Sequence, residues 1–274
     1  MTRLDPDGIR RSLAESAAGR IAGLEAFEEI ESTNSYLLGR EAPAPGLFRV
    51  ALTDNQVAGR GRHGKTWQSP RGSGLALSVA YTFAETPANL AALTLAIGVG
   101  AIEALARLGI VGVELKWPND LIAGDGKLGG ILTETQSLPD RAIMVVTGLG
   151  LNLDLDPAVA SRLETGGGRR AVDLVGFAGS LPCRNQLAAT LIDSLCETFV
   201  AYESTGFAAY AGRWMQSDWL RGRALTVDTP KARLQGVGAG IADDGALLVA
   251  MASGDVSRIS SGTIVATGAQ EVLD

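Results

Sequence analysis

Eight consecutive residues, Gly59-Arg60-Gly61-Arg62-His63-Gly64-Lys65-Thr66, combine glycine with three strong cations. Glycine lets a backbone approach a ligand closely. Arginine grips a phosphate or carboxylate through its planar fork, and lysine adds a point charge. The chemistry this composition serves is the holding of an anion. A second cluster lies downstream: Lys116-Trp117-Pro118-Asn119-Asp120, then Lys127-Leu128-Gly129-Gly130-Ile131-Leu132. Two cations, an amide and a carboxylate converge there between two apolar runs. Lys116 and Asp125 read equally well as surface charges at a turn. Lys127, beside Gly129-Gly130 at a strand edge, is expected to face a ligand.

The first cluster also satisfies the phosphate-binding P-loop pattern G-x-x-x-x-G-K-[ST]. That motif needs a buried strand before it and a helix opening at its Lys and Thr. Here Trp67-Gln68-Ser69-Pro70-Arg71-Gly72-Ser73-Gly74 follows instead. A proline among glycines is not a helix interior. A P-loop phosphotransferase is therefore set aside, and stays as an alternative. A solvated Gly-Arg loop, or a stretch that binds RNA nonspecifically, would explain the charge but not the second cluster.

The elements that must position these residues read as follows. Residues 8–20 carry apolar positions at helical spacing (Ile9, Leu13, Ala17, then Ile21). Phe27 to Glu31 reads as a short strand. Ser32-Thr33-Asn34 supplies hydroxyl and amide groups of the kind that start helices. Phe48–Leu52 and Leu75–Phe83 read as strands flanking the polar loop 54–74, and loops of that length are usually functional or disordered. Thr86-Pro87 reads as a helix start, with Leu90, Leu93, Ile97, Ala101, Leu105 and Leu108 on one stripe and Gly109 as terminator. Val113–Lys116, Gly130–Thr135 and Ile143–Leu149 read as strands, and 185–203 and 205–216 as helices. After Trp219 come four short strands, Ala224–Val227, Ala232–Ala239, Ala246–Ala250 and Val256–Ile259, with turn residues between them. That spacing suits a small β barrel. The expectation is an α+β fold with two domains, 1–218 and 219–274.

The chain has 274 residues, 46% of them hydrophobic and 20% charged, enough for one sizeable core plus a small one. A net charge of −6 argues against a whole-chain preference for nucleic acid or anionic membrane. One histidine, His63, and two cysteines, Cys183 and Cys196, lack metal-site spacing. Two reduced thiols in a cytoplasmic protein are expected. The longest apolar stretch, Leu90 to Leu108, is interrupted by Thr94, Glu103 and Arg107, so no membrane span is expected.

Five segments occur in the order and spacing of the biotin–protein ligases: Glu31-Ser32-Thr33-Asn34, the Gly59–Trp67 loop, Lys116–Asp120, Lys127–Leu132 and Gly148-Leu149-Gly150-Leu151-Asn152. Any one is weak; the set in order is specific. The sequence resembles that family over roughly residues 27–270. The resemblance implies a class II synthetase-like catalytic domain, a mixed sheet with helices, followed by an SH3-like barrel. Some members carry an N-terminal DNA-binding domain. Few residues precede the catalytic part here, and no DNA binding is expected. Lys65 stands where arginine is common, and His63 and Gly129 also depart from common choices.

By the same resemblance, Ser32, Thr33, Asn34 and Gln56 would fix the ureido ring of biotin, with Gly130 beside it. Arg60, Gly61 and Arg62 would close over biotin and its adenylate. Lys127 would meet the biotin carboxylate and the α-phosphate. Arg62, Lys65, Trp67, Asn119 and Asn152 would serve ATP, although a core position for Trp67 and a turn-capping one for Asn152 are open. Asp120 would bind Mg2+ or orient the incoming amine. The implied reaction activates biotin with ATP to biotinyl-5'-AMP and passes it to a lysine of a biotin carboxyl carrier domain. A carboxylate is already ionised at neutral pH, so no Ser, Cys or His nucleophile is required. Lipoate–protein ligation is the nearest alternative. A monomer and a homodimer are both open.

Overall fold

The computed structural model describes residues 3–165 and 170–270. The expected helix over 8–20 is two short ones, α1 (Pro6–Ser12) and α2 (Glu15–Ala18). Asp5 caps α1, its carboxylate accepting from the backbone of Asp7 and Gly8. Leu13 is extended and breaks the run. Ile21 then opens a strand, β1 (Ile21–Phe27), earlier in the chain than the one read at Phe27–Glu31. Burial of Ile21 and Leu24 and parallel pairing with the next strand decide its place. Ser32 caps α3 (Thr33–Leu38), its Oγ accepting from the Ser35 N–H as the sequence led one to expect.

The remaining elements are β2 (Phe48–Thr53), β3 (Gly74–Phe83), α4 (Leu93–Arg107), β4 (Val113–Lys116), β5 (Asp120–Ala123), β6 (Gly126–Ser137), β7 (Ile143–Asn152), α5 (Pro157–Thr165), α6 (Leu174–Ala178), α7 (Arg184–Thr205) and α8 (Ala208–Gln216). Five more strands complete the chain: β8 (Arg223–Asp228), β9 (Arg233–Ile241), β10 (Leu247–Ala250), β11 (Val256–Ile259) and β12 (Thr263–Gln270). The reading missed β5, α5, α6 and β12. It also started α4 too early, since Thr86-Pro87 precedes the helix and a single 3-10 turn, Leu90–Ala92, leads into it.

A seven-stranded sheet has the order β1-β2-β3-β7-β6-β5-β4, parallel between β1 and β2 and antiparallel elsewhere. Its two faces differ. Odd-numbered residues of β3 (Leu75, Leu77, Val79, Tyr81) enter the main core with α4 and α7. Even-numbered ones face the other way, where Ala80 joins Ala51, Met144, Val146 and Leu37 of α3 in a smaller cluster. Leu90–Arg107 is long and apolar enough by composition to cross a membrane, contrary to expectation. Its burial between sheet and α7 accounts for that character.

The second sheet is antiparallel, with the order β11-β10-β9-β8-β12. Leu225, Val227, Leu247 and Val249 belong to the same continuous core as the first sheet. The Trp117 indole N–H donates to the Gly245 carbonyl at 3.0 Å and ties the two sheets together. Both cysteines are free thiols, Cys183 exposed and Cys196 buried.

Candidate active site

Helix α3 covers only one end of the even-numbered face of β3 and β7. Beyond it the face lies open, floored by Ala76 and Ser78 of β3, Gly148 and Gly150 of β7, and Gly130 and Leu132 of β6. This is a cavity of about 760 Å³, within the range of small-molecule sites. Every site residue named from the sequence lines it: Ser32, Thr33, Asn34 and Gln56 at one end, Arg60, Gly61, Arg62, Lys65 and Trp67 above, and Asn119, Asp120, Lys127, Gly130 and Asn152 beyond.

One end is a buried polar network. Ser78 Oγ donates to Thr33 Oγ1 or Asn34 Oδ1, which lie 2.6 and 2.7 Å away. Gln56 Oε1 accepts from the Thr33 N–H at 2.9 Å and from its hydroxyl at 3.1 Å. The Asn34 amide donates to the Leu132 carbonyl at 3.1 Å and to Glu134 at 2.9 Å. Glu134 also holds Arg60, 2.7 Å away. Hydroxyls and amides fixed this way present donors and acceptors together.

Glycines make the room. A Cβ on Gly148 would collide with Asn34 Oδ1, and one on Gly150 would lie 2.5–2.7 Å from the Trp67 indole. A Cβ on Gly130 would meet the end of Lys127 at 3.4 Å and Trp67 at 3.7 Å, without a collision. Trp67 is half-buried on this glycine floor rather than in the core, with Lys127 Nζ 5.8 Å from its ring.

The other end is charged. Ile122 pairs with Lys127 while Leu121 pairs with Gly129, a bulge at Leu128. Such an extra residue re-aims the side chains beside it. Lys127 thereby shares a face with Gly130, although the two are three apart. Lys127 Nζ lies 2.6 Å from Asp120 Oδ1. The Asn152 amide donates to the Lys127 carbonyl at 3.3 Å and to that of Val172 at 3.0 Å. Asn152 thus fixes the backbone that carries Lys127. Asn119 donates to the Ile131 carbonyl at 2.7 Å and accepts from Arg62 at 3.4 Å. Burial pulls the Arg62 guanidinium below its ordinary pKa, and Asp120 opposes that pull.

The Gly-Arg loop folds back on itself. Trp67 N donates to the Gly59 carbonyl and Gly61 N to that of Lys65, with His63 and Gly64 at positive φ in the turn. No helix opens at Lys65-Thr66; the next regular element is β3. The P-loop alternative is overturned on that ground, because the anion cradle of a P-loop needs the helix.

Sequence reading missed several contributors. Ser78 and Glu134 sit in ordinary-looking strands, and strand alternation was the only signal that could have singled them out. Gly148 and Gly150 belong to a recognisable segment, but nothing local in the sequence marks them as the cavity floor. Gly262, Thr263, Ile264, Val265 and Thr267 of the second sheet also line the cavity, from the missed strand β12 and its approach.

The biotin/lipoate A/B protein ligase family model matches residues 26–152, the stretch that carries α3, the loop and the cavity floor. The bifunctional ligase/repressor BirA of Escherichia coli (strain K12) is 34% identical over 89% of this chain and 75% of its own length. The biotin–[acetyl-CoA-carboxylase] ligase of Mycobacterium tuberculosis is 32% identical over 82% of this chain and 80% of its own. Among solved structures, the biotin protein ligase from Aquifex aeolicus in complex with biotin and ATP has the same fold, with a TM-score of 0.72 at 23% identity over 89% of this chain and 97% of that one. Identity of 34% and 32% to these two relatives along most of the chain, together with the matched cavity segments, means that the chain belongs to the biotin/lipoate A/B protein ligase family.

Proposed function

We propose that the chain is a biotin–protein ligase, which activates biotin with ATP to biotinyl-5'-AMP and transfers it to a lysine of a biotin carboxyl carrier domain. The observation that carries the reading is a single cavity with a hydrogen-bonding end (Thr33, Asn34, Gln56, Ser78) and a cationic end (Arg62, Lys65, Lys127). Biotin is built the same way, a ureido ring at one end and a carboxylate at the other. Lipoate ends in a dithiolane with no comparable donors. A site built to hydrogen-bond a ligand rejects an analogue that cannot answer, because its polar groups are left unpaired.

In the first step the biotin carboxylate attacks the α-phosphate and pyrophosphate leaves. Two anions must approach, so fixed cations are the main requirement. On this reading Lys127 would meet both the carboxylate and the α-phosphate, and Arg60, Arg62 and Lys65, which line the same cavity, would add positive charge around them. No group of three or more His, Cys, Asp or Glu converges among the described residues, which fits an ion carried on the phosphates better than a protein cage. Asp120 would complete its shell, and Mg2+ there would neutralise phosphate charge. In the second step a neutral lysine amine attacks the acyl carbonyl and AMP leaves. Asp120, which lines the same cavity, would orient that amine. The Gly59–Trp67 loop would shield the mixed anhydride from water.

The reading assigns residues 1–218 to the catalytic domain and 219–274 to an SH3-like barrel, supported by the separate antiparallel sheet. The barrel contributes β12 as a wall of the cavity. The test is transfer of labelled biotin to a purified carrier domain with Mg-ATP. Label on the carrier's acceptor lysine, absent when that lysine is arginine, is expected. No transfer under conditions where a known ligase labels the same carrier would refute the assignment.

A further inference from the structure

Arg184 stands at the first position of α7, outside the cavity. A cation at a helix N-terminus opposes the helix dipole, so helix stability does not explain it. Its exposure is 5%, and arginines this buried are rare unless paired. The guanidinium reaches two points of one segment. Nη1 lies 2.9 Å from Asp54 Oδ2, and Nη2 donates to the Gly72 carbonyl. Asp54 directly follows β2, and Gly72 lies two residues before β3. Between them runs the whole stretch that carries Gln56, the cations Arg60, Arg62 and Lys65, and Trp67.

We propose that Arg184 is a positioning residue for the ligase reaction, a clasp that holds both ends of segment 54–72 so that its cations stay over the adenylate. Within the segment, backbone bonds from Trp67 to Gly59, from Gly61 to Lys65 and from Gln56 to Ser69 make a self-braced unit. Such a unit is aimed by its base. Fixing the two ends lowers the entropy that closure must overcome. A planar fork can meet a carboxylate and a carbonyl at once, and lysine cannot. The clasp rests on the ligase reading, but its mechanical part does not.

The test compares the full chain with Arg184→Gln, Arg184→Lys and Asp54→Asn. The first readout, the rate of tryptic cleavage after Arg60, Arg62 and Lys65, needs no substrate. Losing a charged hydrogen bond should raise it about tenfold or more in Arg184→Gln, with Arg184→Lys between that and wild type. The second readout is the dissociation rate of preformed biotinyl-adenylate, expected to rise by a similar factor while thermal unfolding stays a single transition. Wild-type cleavage and wild-type retention in folded Arg184→Gln would overturn the clasp. If the Arg184 variants do not fold, Asp54→Asn decides by the same two readouts. If wild type forms no adenylate, the ligase reading fails, and cleavage alone still decides the mechanical part.

Discussion

Lys127 shows how one side chain is aimed by its neighbours. The bulge at Leu128 turns it to the cavity face, Asn152 and Arg170 hold its backbone, and Asp120 takes its ammonium. The account assigns it the meeting point of two anions. Lys127→Ala should lower the adenylation rate by about 100-fold or more, the scale of removing one preorganised electrostatic contact. Melting temperature should move little, because Lys127 is half-exposed and its ion pair with Asp120 is partly solvated. A wild-type burst of pyrophosphate from the variant would take Lys127 out of the site. This residue was legible in the sequence because its glycine neighbours and its spacing to Asp120 are local. Glu134 and Ser78 were not legible. Their roles arise from register, which sets Ser78 opposite Gly148 and Glu134 two residues beyond Leu132 on the cavity face.

At the scale of the element, β7 carries the argument. Gly148 and Gly150 lie two apart and so share one face, the one that receives Asn34 and Trp67. Side chains at either would fill the space in which those residues stand. Gly148→Ala should weaken biotin binding by about tenfold or more, since forced overpacking typically costs roughly 1–3 kcal/mol. Titration calorimetry would read it, and an unchanged affinity would mean that Asn34 has no part in the ligand end. Strands with strong β-branched runs were legible. The edge strand β1, the four-residue β5 and the last strand β12 were not. Their residues are unexceptional in composition, and pairing with partners distant in the chain makes them strands.

For the whole molecule, the junction between the two sheets holds an ionisable group in apolar surroundings. Asp218 pairs with edge strand β4 through Leu115 and leads into Trp219, Leu220 and β8. One carboxylate oxygen accepts from the Leu220 N–H at 3.0 Å; the other is buried without a partner among the described residues. Burial pushes its pKa up to about 6 from an ordinary 3.8, against the pull of the Leu220 amide and Arg221. The folded state therefore favours the protonated form. Its ionisation costs nothing below pH 4, a growing amount between pH 4 and 6, and the full amount above, at most about 3 kcal/mol. Asp218→Asn keeps the oxygen that faces Leu220 and removes the charge. The variant should match wild type in denaturant midpoint near pH 4 and exceed it at pH 7. A constant difference across that range would show that the charge is not what the fold resists. The second sheet was legible as a change in strand spacing after Trp219, but the core it shares with the first was not, because shared burial leaves no local mark in the sequence.

The central claim is that one cavity joins a carboxylate with hydrogen-bonding ends to the α-phosphate of ATP. Pyrophosphate release from Mg-ATP, measured with biotin, with lipoate and with neither, tests it most directly. The account predicts release with biotin and none above background with lipoate. Release with lipoate but not biotin, or release with neither from folded protein, would contradict it.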